Sequence, residues 1–468
     1  MKQIQPDRAQ VLARLSELLG DRAQTGTALR EQHGKDASFH PAVPPELVVY
    51  PTSTAEVSQV VALCHQGRVP VIPFGTGTSC EGGVAALHGG VCIDLGRMDQ
   101  VLRVDAEDMD CRVQAGVTRK RLNAQLHGTG LQFPIDPGAD ASIGGMVSTR
   151  ASGTNAVRYG TMRENVLSLQ VVLPDGEVIE TAGRARKSAA GYDITRAFVG
   201  AEGTLGIVTE VTVKLHPLPE HVSAARCSYP NLRAAIDTVI QVIQMGVPIG
   251  RVELLDERQV AASNRYSKLD LPVAPTLFFE FHGSPAAVDE QVDAVRTISA
   301  ERGGKDFAWA QTPEERTRLW QARHDAWWAA RALRHGCEGM PTDVCVPISR
   351  LAEAVLAARA DVDELGLTAP MCGHVGDGNF HLCVVLDPAD ADEMRRAEIL
   401  YDRLVRRAIQ MEGTCTGEHG IGYGKLGYLA QERGASMRVL AAFKRALDPR
   451  NIMNPGKVVQ ADAYPAFD

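Results

Sequence analysis

The sequence lacks the features that mark several common classes of protein. Its ten cysteines are scattered, and the closest two, Cys337 and Cys345, are eight positions apart. This spacing excludes a CxxC redox or zinc-ribbon pair and suits reduced, mostly buried thiols. No run of about 18 apolar residues occurs, so no transmembrane helix is predicted. Lys and Arg total 49 against 57 Asp and Glu, and the net charge of −8 argues against a general nucleic-acid-binding protein.

Two nucleotide-binding signatures and a secretion signal are also absent. The glycine-rich segments match neither GxxxxGK[ST] nor GxGxxG, so neither a P-loop NTPase nor a Rossmann-type NAD domain is supported. The first residues, MKQIQPDRAQVLARLSELLG, place Leu12, Leu15, Leu18 and Leu19 on one face of a predicted amphipathic helix, which is not the pattern of a signal peptide. With the scattered thiols, this predicts a cytoplasmic protein whose membrane contacts would be peripheral and made through a partner.

The composition is that of a large soluble globular protein. At 468 residues, with 44% hydrophobic and 23% charged residues, the chain is long enough for two or three domains. Residues 40–217 alternate short strands with glycine-rich loops and predict one α+β unit. After HPLPEH (216–221), the predicted elements up to residue 310 follow the order βαββαβ, which is typical of a ferredoxin-like sheet.

Glycine is the residue in excess, with 44 in the chain, and it concentrates in three segments of the first unit, 75–83, 136–160 and 199–210. Any one of them alone would ordinarily be a turn. In the first, the glycines let backbone amides converge after a predicted strand, and Thr76 and Thr78 add hydroxyl donors. Three such surfaces in one unit predict a long, phosphate-bearing cofactor.

A second set of polar residues lies near the end of the chain. His374 and His381 flank the tight turn 376–379, where they could reach one ion, although spacing alone equally allows a hairpin with two hydrogen-bonded histidines. Glu418 and His419 add a carboxylate and a third imidazole, although these two residues alone also suit a surface loop. Two histidines and a carboxylate with an open position are a common Zn²⁺ set and also suit Mn²⁺ or Fe²⁺.

Five long segments, in order along nearly the whole chain, resemble one flavoprotein family. They resemble the FAD-linked D-lactate dehydrogenase branch of the vanillyl-alcohol-oxidase/p-cresol-methylhydroxylase (PCMH) superfamily. The segments are VIPFGTGTSCEGG (71–83), DPGADASIGGMVSTRASGTNAVRYG (136–160), FVGAEGTLGIVTEVTVKLHP (198–217), CGHVGDGNFH (372–381) and TGEHGIG (416–422).

The resemblance implies an α+β fold with three parts. These are a PCMH-type FAD-binding domain at 1–218 with its core at 40–218, a ferredoxin-like substrate (cap) domain at 219–425, and a C-terminal helical segment at 426–468 that returns to the FAD domain. Because no histidine occurs in 73–83, although Cys80 does, we expect the FAD to be noncovalent. The implied cofactor-binding residues are Pro73, Gly75, Thr76, Gly77, Thr78, Ser79, Pro137, Gly138, Ser142, Gly144, Gly145, Thr149, Ser152, Gly153, Glu202, Gly206, Ile207 and Asn454.

The resemblance also assigns the residues of the reaction. It implies a divalent metal (Zn²⁺ or Mn²⁺, with Fe²⁺ as a third candidate) on His374, His381 and Glu418, and His419 as the base that takes the substrate's hydroxyl proton. Arg323 would clamp the substrate carboxylate, and Asn379 would make a second polar contact.

The expected activity is oxidation of a D-2-hydroxy acid, with D-lactate to pyruvate as the first expectation. The hydride would pass to flavin N5, and the electrons would go to a cytochrome, a quinone or an electron-transfer flavoprotein. Thr342 stands at the position where we expect hydroxyglutarate-oxidising relatives to carry a lysine, which favours a monocarboxylate substrate.

Four alternatives to this reading stay open. Two are a glycolate and a D-2-hydroxyglutarate dehydrogenase on the same scaffold. The others are a non-redox enzyme that uses flavin as a covalent carrier, and a non-enzymatic electron-transfer or assembly subunit. A homodimer is compatible with the sequence, which carries no readable signal for oligomeric state.

Overall fold

Residues 7–466 are described by a computed structural model, in which the chain divides into two units. Of the described residues, unit 1 comprises 7–152, 160–218 and 418–466, and unit 2 comprises 153–159 and 219–417. Within residues 7–466, no helix combines the length and the apolar character needed to cross a lipid bilayer. The first six and last two residues of the expected domain ranges lie outside the described residues.

The two units contain short strands and helices of very different lengths. The strands are β1 (Ala23–Gln24), β2 (Leu47–Val49), β3 (Val71–Phe74), β4 (Val91–Asp94), β5 (Val101–Asp105), β6 (Asp110–Gln114), β7 (Leu131–Gln132), β8 (Val166–Val172), β9 (Val178–Glu180), β10 (Ile207–Lys214), β11 (His216–Pro217), β12 (His221–Ser228), β13 (Ile249–Leu255), β14 (Thr276–Gly283), β15 (Lys305–Ala310), β16 (Glu338–Pro341), β17 (Val344–Cys345), β18 (Met371–Gly373) and β19 (Asn379–Leu386). The α-helices are α1 (Arg8–Leu19), α2 (Thr27–His33), α3 (Thr54–Gly67), α4 (Arg119–Gln125), α5 (Ile143–Thr149), α6 (Ala156–Tyr159), α7 (Met162–Asn165), α8 (Ile194–Phe198), α9 (Leu232–Gln244), α10 (Glu257–Ser267), α11 (Pro285–Glu301), α12 (Pro313–His324), α13 (Ala326–Arg331), α14 (Leu351–Leu365), α15 (Ala391–Gln410), α16 (Leu426–Arg433) and α17 (Met437–Leu447).

Unit 1 is built on two main sheets. One has the order β1–β2–β4–β3, in which β1 pairs with β2 antiparallel and the pairs β2–β4 and β4–β3 are parallel. The other is antiparallel, with the order β5–β6–β10–β8–β9. Both are covered by helices, since α3 packs Val57 and Val61 on the first sheet and α5 packs Met146 and Val147 on the second. This is the α+β arrangement that the sequence predicts.

The first helix differs from its prediction at one position. Asp7 caps α1 by accepting the backbone amide of Gln10, and Val11, Leu15 and Leu19 are buried. Leu18, which we expected on the same face, is 40% exposed. The buried stripe follows the i, i+4, i+8 positions, and Leu18 falls one position outside it.

Unit 2 is dominated by one large antiparallel sheet. Its strand order is β15–β12–β14–β13–β18–β19–β16, with β17 pairing to β19 beside this path. The predicted βαββαβ order is present from β12 to β15, with α10 inserted between the second and third strands. The sheet then continues through β18 and β19, the strands on either side of the turn between His374 and His381.

The C-terminal segment of unit 1 is anchored by a buried lysine. Lys444 is only 2% exposed, and its Nζ donates to Asp448 Oδ2 at 2.6 Å, to Thr204 O at 2.8 Å and to Met453 O at 2.7 Å. Asp448 also accepts the backbone amides of residues 452 and 453. Burial lowers the pKa of Lys444, and the Asp448 carboxylate opposes that shift. The lysine therefore connects α17 and the loop after it to the third glycine-rich segment.

Replacing Lys444 with Met should lower the free energy of unfolding by about 3–5 kcal/mol, because Asp448 would remain as a buried carboxylate without its cation. The control is Arg233→Met, which removes one partner of the exposed ion pair with Asp237. That pair has the same four-residue spacing as Lys444 and Asp448, and its loss should lower the free energy of unfolding by less than about 1 kcal/mol. Urea denaturation followed by circular dichroism measures both variants. Equal losses would contradict a structural role for the Lys444 cluster.

Candidate active site

The three glycine-rich segments meet in unit 1. A Cβ atom on Gly75 would lie 2.5 Å from Ser142 Oγ and 3.8 Å from Gly145 Cα, so the first and second segments are in direct contact. Gly203, which has a φ of +71°, is packed so closely on the ring of Pro73 that a side chain would collide with it. The third segment therefore lies on the strand that leads into the first.

The C-terminal Asn-Pro-Gly loop joins the same cluster. The side-chain amide of Asn454 donates to Glu202 O at 2.8 Å and to Gly83 O at 3.1 Å. Its Oδ1 accepts a hydrogen bond from Lys457 Nζ at 2.5 Å. Burial lowers the pKa of Lys457 to about 7, although Glu202 and other nearby acidic groups act in the opposite direction. Asn454 thus holds two of the glycine-rich segments together and is itself buried.

The first segment has the donors that a dinucleotide phosphate needs. Among the contacts of residues 7–466, the backbone amides of Thr76, Gly77 and Thr78 donate to no protein acceptor. The hydroxyls of Thr76 and Thr78 lie 3.0 Å apart on the same exposed loop. Consecutive amides after a strand form an anion-binding concavity, so these residues fit the pyrophosphate of FAD.

Some of the glycines predicted to contact cofactor have a packing role in the structure. A Cβ on Gly144 would lie 2.6 Å from Ala115 Cβ, and one on Gly206 would lie 2.7 Å from Val171 Cγ1. Ile207 is the buried first residue of β10. The remaining predicted contacts lie on loops or helix ends: Pro137 and Gly138 before α5, Ser142 as its N-cap, Gly145 and Thr149 within it, and Ser152 and Gly153 after it, while Ser79 completes the first loop. Their contacts with FAD stay predictions.

The Glu202 carboxylate accepts backbone amides of the loop that follows His419. Its two carboxylate oxygens accept the amides of Ile421 at 2.6 Å and Gly422 at 2.8 Å. Burial raises the pKa of the Glu202 carboxyl, while those two amides act in the opposite direction. Both of its oxygens are engaged by the loop that follows His419, so Glu202 supports that loop. Its contact with the cofactor stays a prediction.

His374 and His381 are brought together by the turn between β18 and β19. Their ring centroids are 5.4 Å apart, the rings lie edge to face, and both side chains are buried. His374 Nδ1 lies 2.7 Å from Glu253 Oε1, and His381 Nδ1 lies 2.8 Å from Thr342 O. Because each Nδ1 faces an acceptor and carries the proton, each Nε2 is the nitrogen suited to hold a metal ion.

Glu418 follows directly on Gly417, the last residue of unit 2. Its carboxylate Oε1 lies 3.9 Å from Nε2 of the neighbouring His419. The imidazoles of His374 and His381 are close enough to share one divalent cation, and Glu418 stays the predicted third ligand.

Asn379 is oriented by a buried carboxylate. Its Nδ2 donates to Asp343 Oδ1 and to Val344 O, both at 2.8 Å, which uses both protons of the amide. Its buried Oδ1 has no hydrogen-bond partner among the described residues. Asp343 also accepts the hydroxyl of Thr416 at 2.7 Å. Asn379 therefore has an acceptor to offer for the second polar contact that the sequence predicts, and that contact stays a prediction.

Arg323 lies near the end of α12 and points to a second buried carboxylate. Its side chain is 17% exposed, and its Nε donates to Glu253 Oε2 at 2.7 Å. Trp320, one turn earlier, is buried against Phe278, so it belongs to the core, whereas Trp328 is 54% exposed. The same Glu253 carboxylate therefore contacts the predicted substrate clamp and a predicted metal ligand.

Thr342 is fully buried and has a structural explanation. Its hydroxyl accepts the backbone amide of Leu382 at 2.9 Å, and its carbonyl accepts His381 Nδ1. Thr342 therefore supports β19, and its bearing on a second substrate carboxylate stays a prediction.

Two family models match the sequence over most of its length. FAD linked oxidases, C-terminal domain, matches residues 218–458, and FAD binding domain matches residues 45–182. The chain belongs to the FAD-linked oxidases. It is an FAD-dependent oxidoreductase of the D-lactate dehydrogenase branch, as the sequence resemblance implies. This argues against both the flavin-carrier and the non-enzymatic alternatives.

Three relatives of this FAD-linked oxidase illustrate the range of similarity. "Probable D-lactate dehydrogenase, mitochondrial" from Danio rerio is 54% identical, over 96% of this chain and 92% of the relative. "D-lactate dehydrogenase [cytochrome], mitochondrial" from Arabidopsis thaliana is 46% identical, over 96% of this chain and 80% of the relative. Glycolate oxidase subunit GlcD from Bacillus subtilis is 36% identical, over 90% of each chain.

Solved structures confirm the fold. 4-Ethylphenol oxidase from Gulosibacter chungangensis has a TM-score of 0.80 at 19% identity, over 96% of this chain and 97% of that one. p-Cresol methylhydroxylase has a TM-score of 0.76 at 19% identity, over 96% of both chains. The PCMH-type FAD-binding fold with an α+β second domain is thus the architecture of this FAD-linked oxidase.

The predicted cytoplasmic location is wrong by the same comparisons. The relatives from Danio rerio, Arabidopsis thaliana and Saccharomyces cerevisiae are all named mitochondrial. Scattered thiols and an amphipathic pattern in the first residues do not distinguish the cytosol from other reducing compartments, so the composition could not decide the location.

Sequence reasoning missed two buried carboxylates, Glu253 and Asp343. Each lies in a short apolar strand region, RVELLD and PTDVCVP, where an isolated acidic residue among apolar ones was the available signal. Neither stands near its partner in sequence, because Glu253 is 121 positions from His374 and Asp343 is 36 from Asn379.

Replacing Glu202 with Gln should loosen the loop after His419. The glutamine amide group would face one of the two backbone amides that Glu202 now accepts, and a buried donor left unpaired costs about 1–3 kcal/mol. Hydrogen exchange of the Ile421 and Gly422 amides, measured by mass spectrometry on the flavin-loaded protein, should be about tenfold faster or more. Glu210→Gln, at a partly buried carboxylate paired with Arg112, is the control and should leave this exchange unchanged. Unaltered protection in Glu202→Gln would contradict the supporting role.

Proposed function

We propose that the protein is an FAD- and divalent-metal-dependent dehydrogenase that oxidises D-lactate to pyruvate. The observation that carries this proposal is the set of relatives named D-lactate dehydrogenase, 54%, 46% and 38% identical over 96–97% of the chain. The relatives from Arabidopsis thaliana and Saccharomyces cerevisiae include cytochrome in their names, which favours a cytochrome over a quinone or a flavoprotein as the electron acceptor. Glycolate is the second candidate substrate because of the glycolate oxidase subunit from Bacillus subtilis.

The donor set around His374 and His381 supports the metal part of the proposal. Two imidazoles with anchored Nδ1 atoms and the Glu418 carboxylate suit Zn²⁺ or Mn²⁺, with Fe²⁺ as a third candidate. When bound there, a divalent cation would supply the Lewis acidity that lowers the pKa of a substrate hydroxyl. Asn379 Oδ1, fixed by Asp343, would add a neutral acceptor for a hydroxyl hydrogen.

The remaining residues would divide the work of binding and proton transfer. The guanidinium of Arg323, held at its Nε by Glu253, would bind the substrate carboxylate through its terminal nitrogens. An imidazole nitrogen of His419 would take the hydroxyl proton, and the loop carrying this histidine is held by Glu202. FAD, when bound, supplies the acceptor for the hydride that leaves the carbon carrying the substrate hydroxyl.

Anaerobic addition of D-lactate to the purified flavoprotein should bleach the long-wavelength absorbance of the oxidised flavin, whereas L-lactate should not. Dialysis against a divalent-metal chelator should slow the bleaching, and added Zn²⁺ or Mn²⁺ should restore it. His419→Ala should slow it by about 100-fold or more, as expected for loss of a general base. The control His335→Ala changes an exposed histidine outside the site and should leave the rate unchanged.

The rates at which different D-2-hydroxy acids and glycolate bleach the flavin distinguish the candidate substrates. Faster bleaching by glycolate than by D-lactate would favour the second candidate, and preference for D-2-hydroxyglutarate would contradict a monocarboxylate substrate. Absence of bleaching with every D-2-hydroxy acid would overturn the proposal, and full activity after removal of all divalent metal would overturn its metal part.

A further inference from the structure

Glu253 connects two residues that the proposed reaction uses for different purposes. It lies on β13, its side chain is fully buried, and each of its oxygens has a separate partner. Oε2 accepts Arg323 Nε at 2.7 Å, and Oε1 lies 2.7 Å from His374 Nδ1. All three residues belong to unit 2, so the arrangement is internal to one folded body.

Because Glu253 is fully buried, its carboxyl group needs hydrogen-bonding partners within the protein. A carboxylate removed from water is costly unless charged or hydrogen-bonding groups replace the water. Arg323 Nε and His374 Nδ1 provide those replacements, one at each oxygen of Glu253. If either partner moved away, one oxygen of a fully buried carboxyl group would be left without a hydrogen bond.

The strand makes the position of this anion rigid. β13 is paired on both sides, with β14 at Glu253↔Phe278 and with β18 at Leu254↔Gly373. Val252 and Leu254, on either side of Glu253, are buried. Because His374 follows Gly373 directly, the strand that carries the carboxylate is also paired with the backbone that carries the histidine.

We propose that Glu253 is a positioning residue that couples substrate binding to metal binding. It fixes the guanidinium of Arg323 by its Nε and fixes His374 in the tautomer whose Nε2 faces the ion. This inference rests on the proposed function, since the roles of Arg323 and His374 come from it. A carboxylate behind a metal-bound histidine typically changes metal affinity by about 10- to 100-fold when it is removed.

The same sheet contains a second buried glutamate that can serve as a matched control for Glu253. Glu280, on the neighbouring β14, is also buried and contacts a histidine and an arginine: His282 Nε2 at 2.7 Å and Arg251 Nε at 3.3 Å. None of these three residues belongs to the proposed metal or substrate site, so the two carboxylates differ in their neighbours rather than in their chemistry.

The test compares Glu253→Gln with Glu280→Gln in the flavin-loaded, full-length protein. Affinity for Zn²⁺ and for Mn²⁺ is measured by competition with a chromogenic chelator, without turnover, and KM and kcat for D-lactate and the thermal midpoint are measured alongside. Both variants should lose stability, but only Glu253→Gln should weaken metal affinity by about 10- to 100-fold and raise KM by about tenfold or more. If Glu253→Gln does not fold, Glu253→Asp, which keeps the charge but shortens the side chain, should show the same two losses in smaller measure.

The outcomes separate this inference from the proposed function. Equal metal affinity and equal KM in the Glu253 and Glu280 variants, in a protein that binds metal and oxidises D-lactate, would overturn the positioning role and leave the function intact. A wild-type protein that binds neither metal and is reduced by no D-2-hydroxy acid would overturn the function, and the inference with it. Loss of metal affinity alone or of KM alone would overturn the coupling.

Discussion

Both units depend on one physical constraint: a carboxylate removed from water must be hydrogen-bonded or paired with specific groups. Glu253 shows the constraint in unit 2. Its two oxygens are satisfied by an arginine from α12 and a histidine from the end of β18, so three distant parts of the sequence are held in one geometry. The cost of leaving such a charge unpaired is several kcal/mol, which makes the arrangement a restraint on the fold as well as a feature of the site.

Unit 1 uses the same constraint around its glycine-rich segments. Glu202 is satisfied by the amides of residues 421 and 422, and Asp448 by Lys444 and two further amides. Asn454 is an uncharged buried polar group that is also satisfied by specific partners, because its side-chain amide donates to Gly83 O and Glu202 O. The C-terminal segment is therefore held to the glycine-rich segments by buried polar groups, which are directional, as well as by apolar packing, which is not.

The features that could be predicted from the sequence are local or carried by long motifs. The alternation of short strands with glycine-rich loops in residues 40–217 and the ferredoxin-like pattern after residue 221, apart from the inserted α10, followed from periodicity and turn residues. The proximity of His374 and His381 followed from the tight turn between them, because a hairpin of this length leaves few alternatives. The membership of the FAD-linked oxidases followed from five segments in order, which is more specific than any single motif.

The sequence by itself determined the fold class, the flavin cofactor and the residue types needed for oxidation of a hydroxy acid. Only the tertiary structure decided what each polar residue touches. It showed that the Glu202 carboxylate supports the loop after His419, that Asn379 presents its side-chain oxygen as an acceptor, and that Thr342 supports β19. Only the tertiary structure showed that Glu253 and Asp343 contact the predicted site residues. Periodicity reports which residues are buried, whereas the partners of a buried charge are chosen by strands and helices that meet after tens to more than a hundred intervening residues.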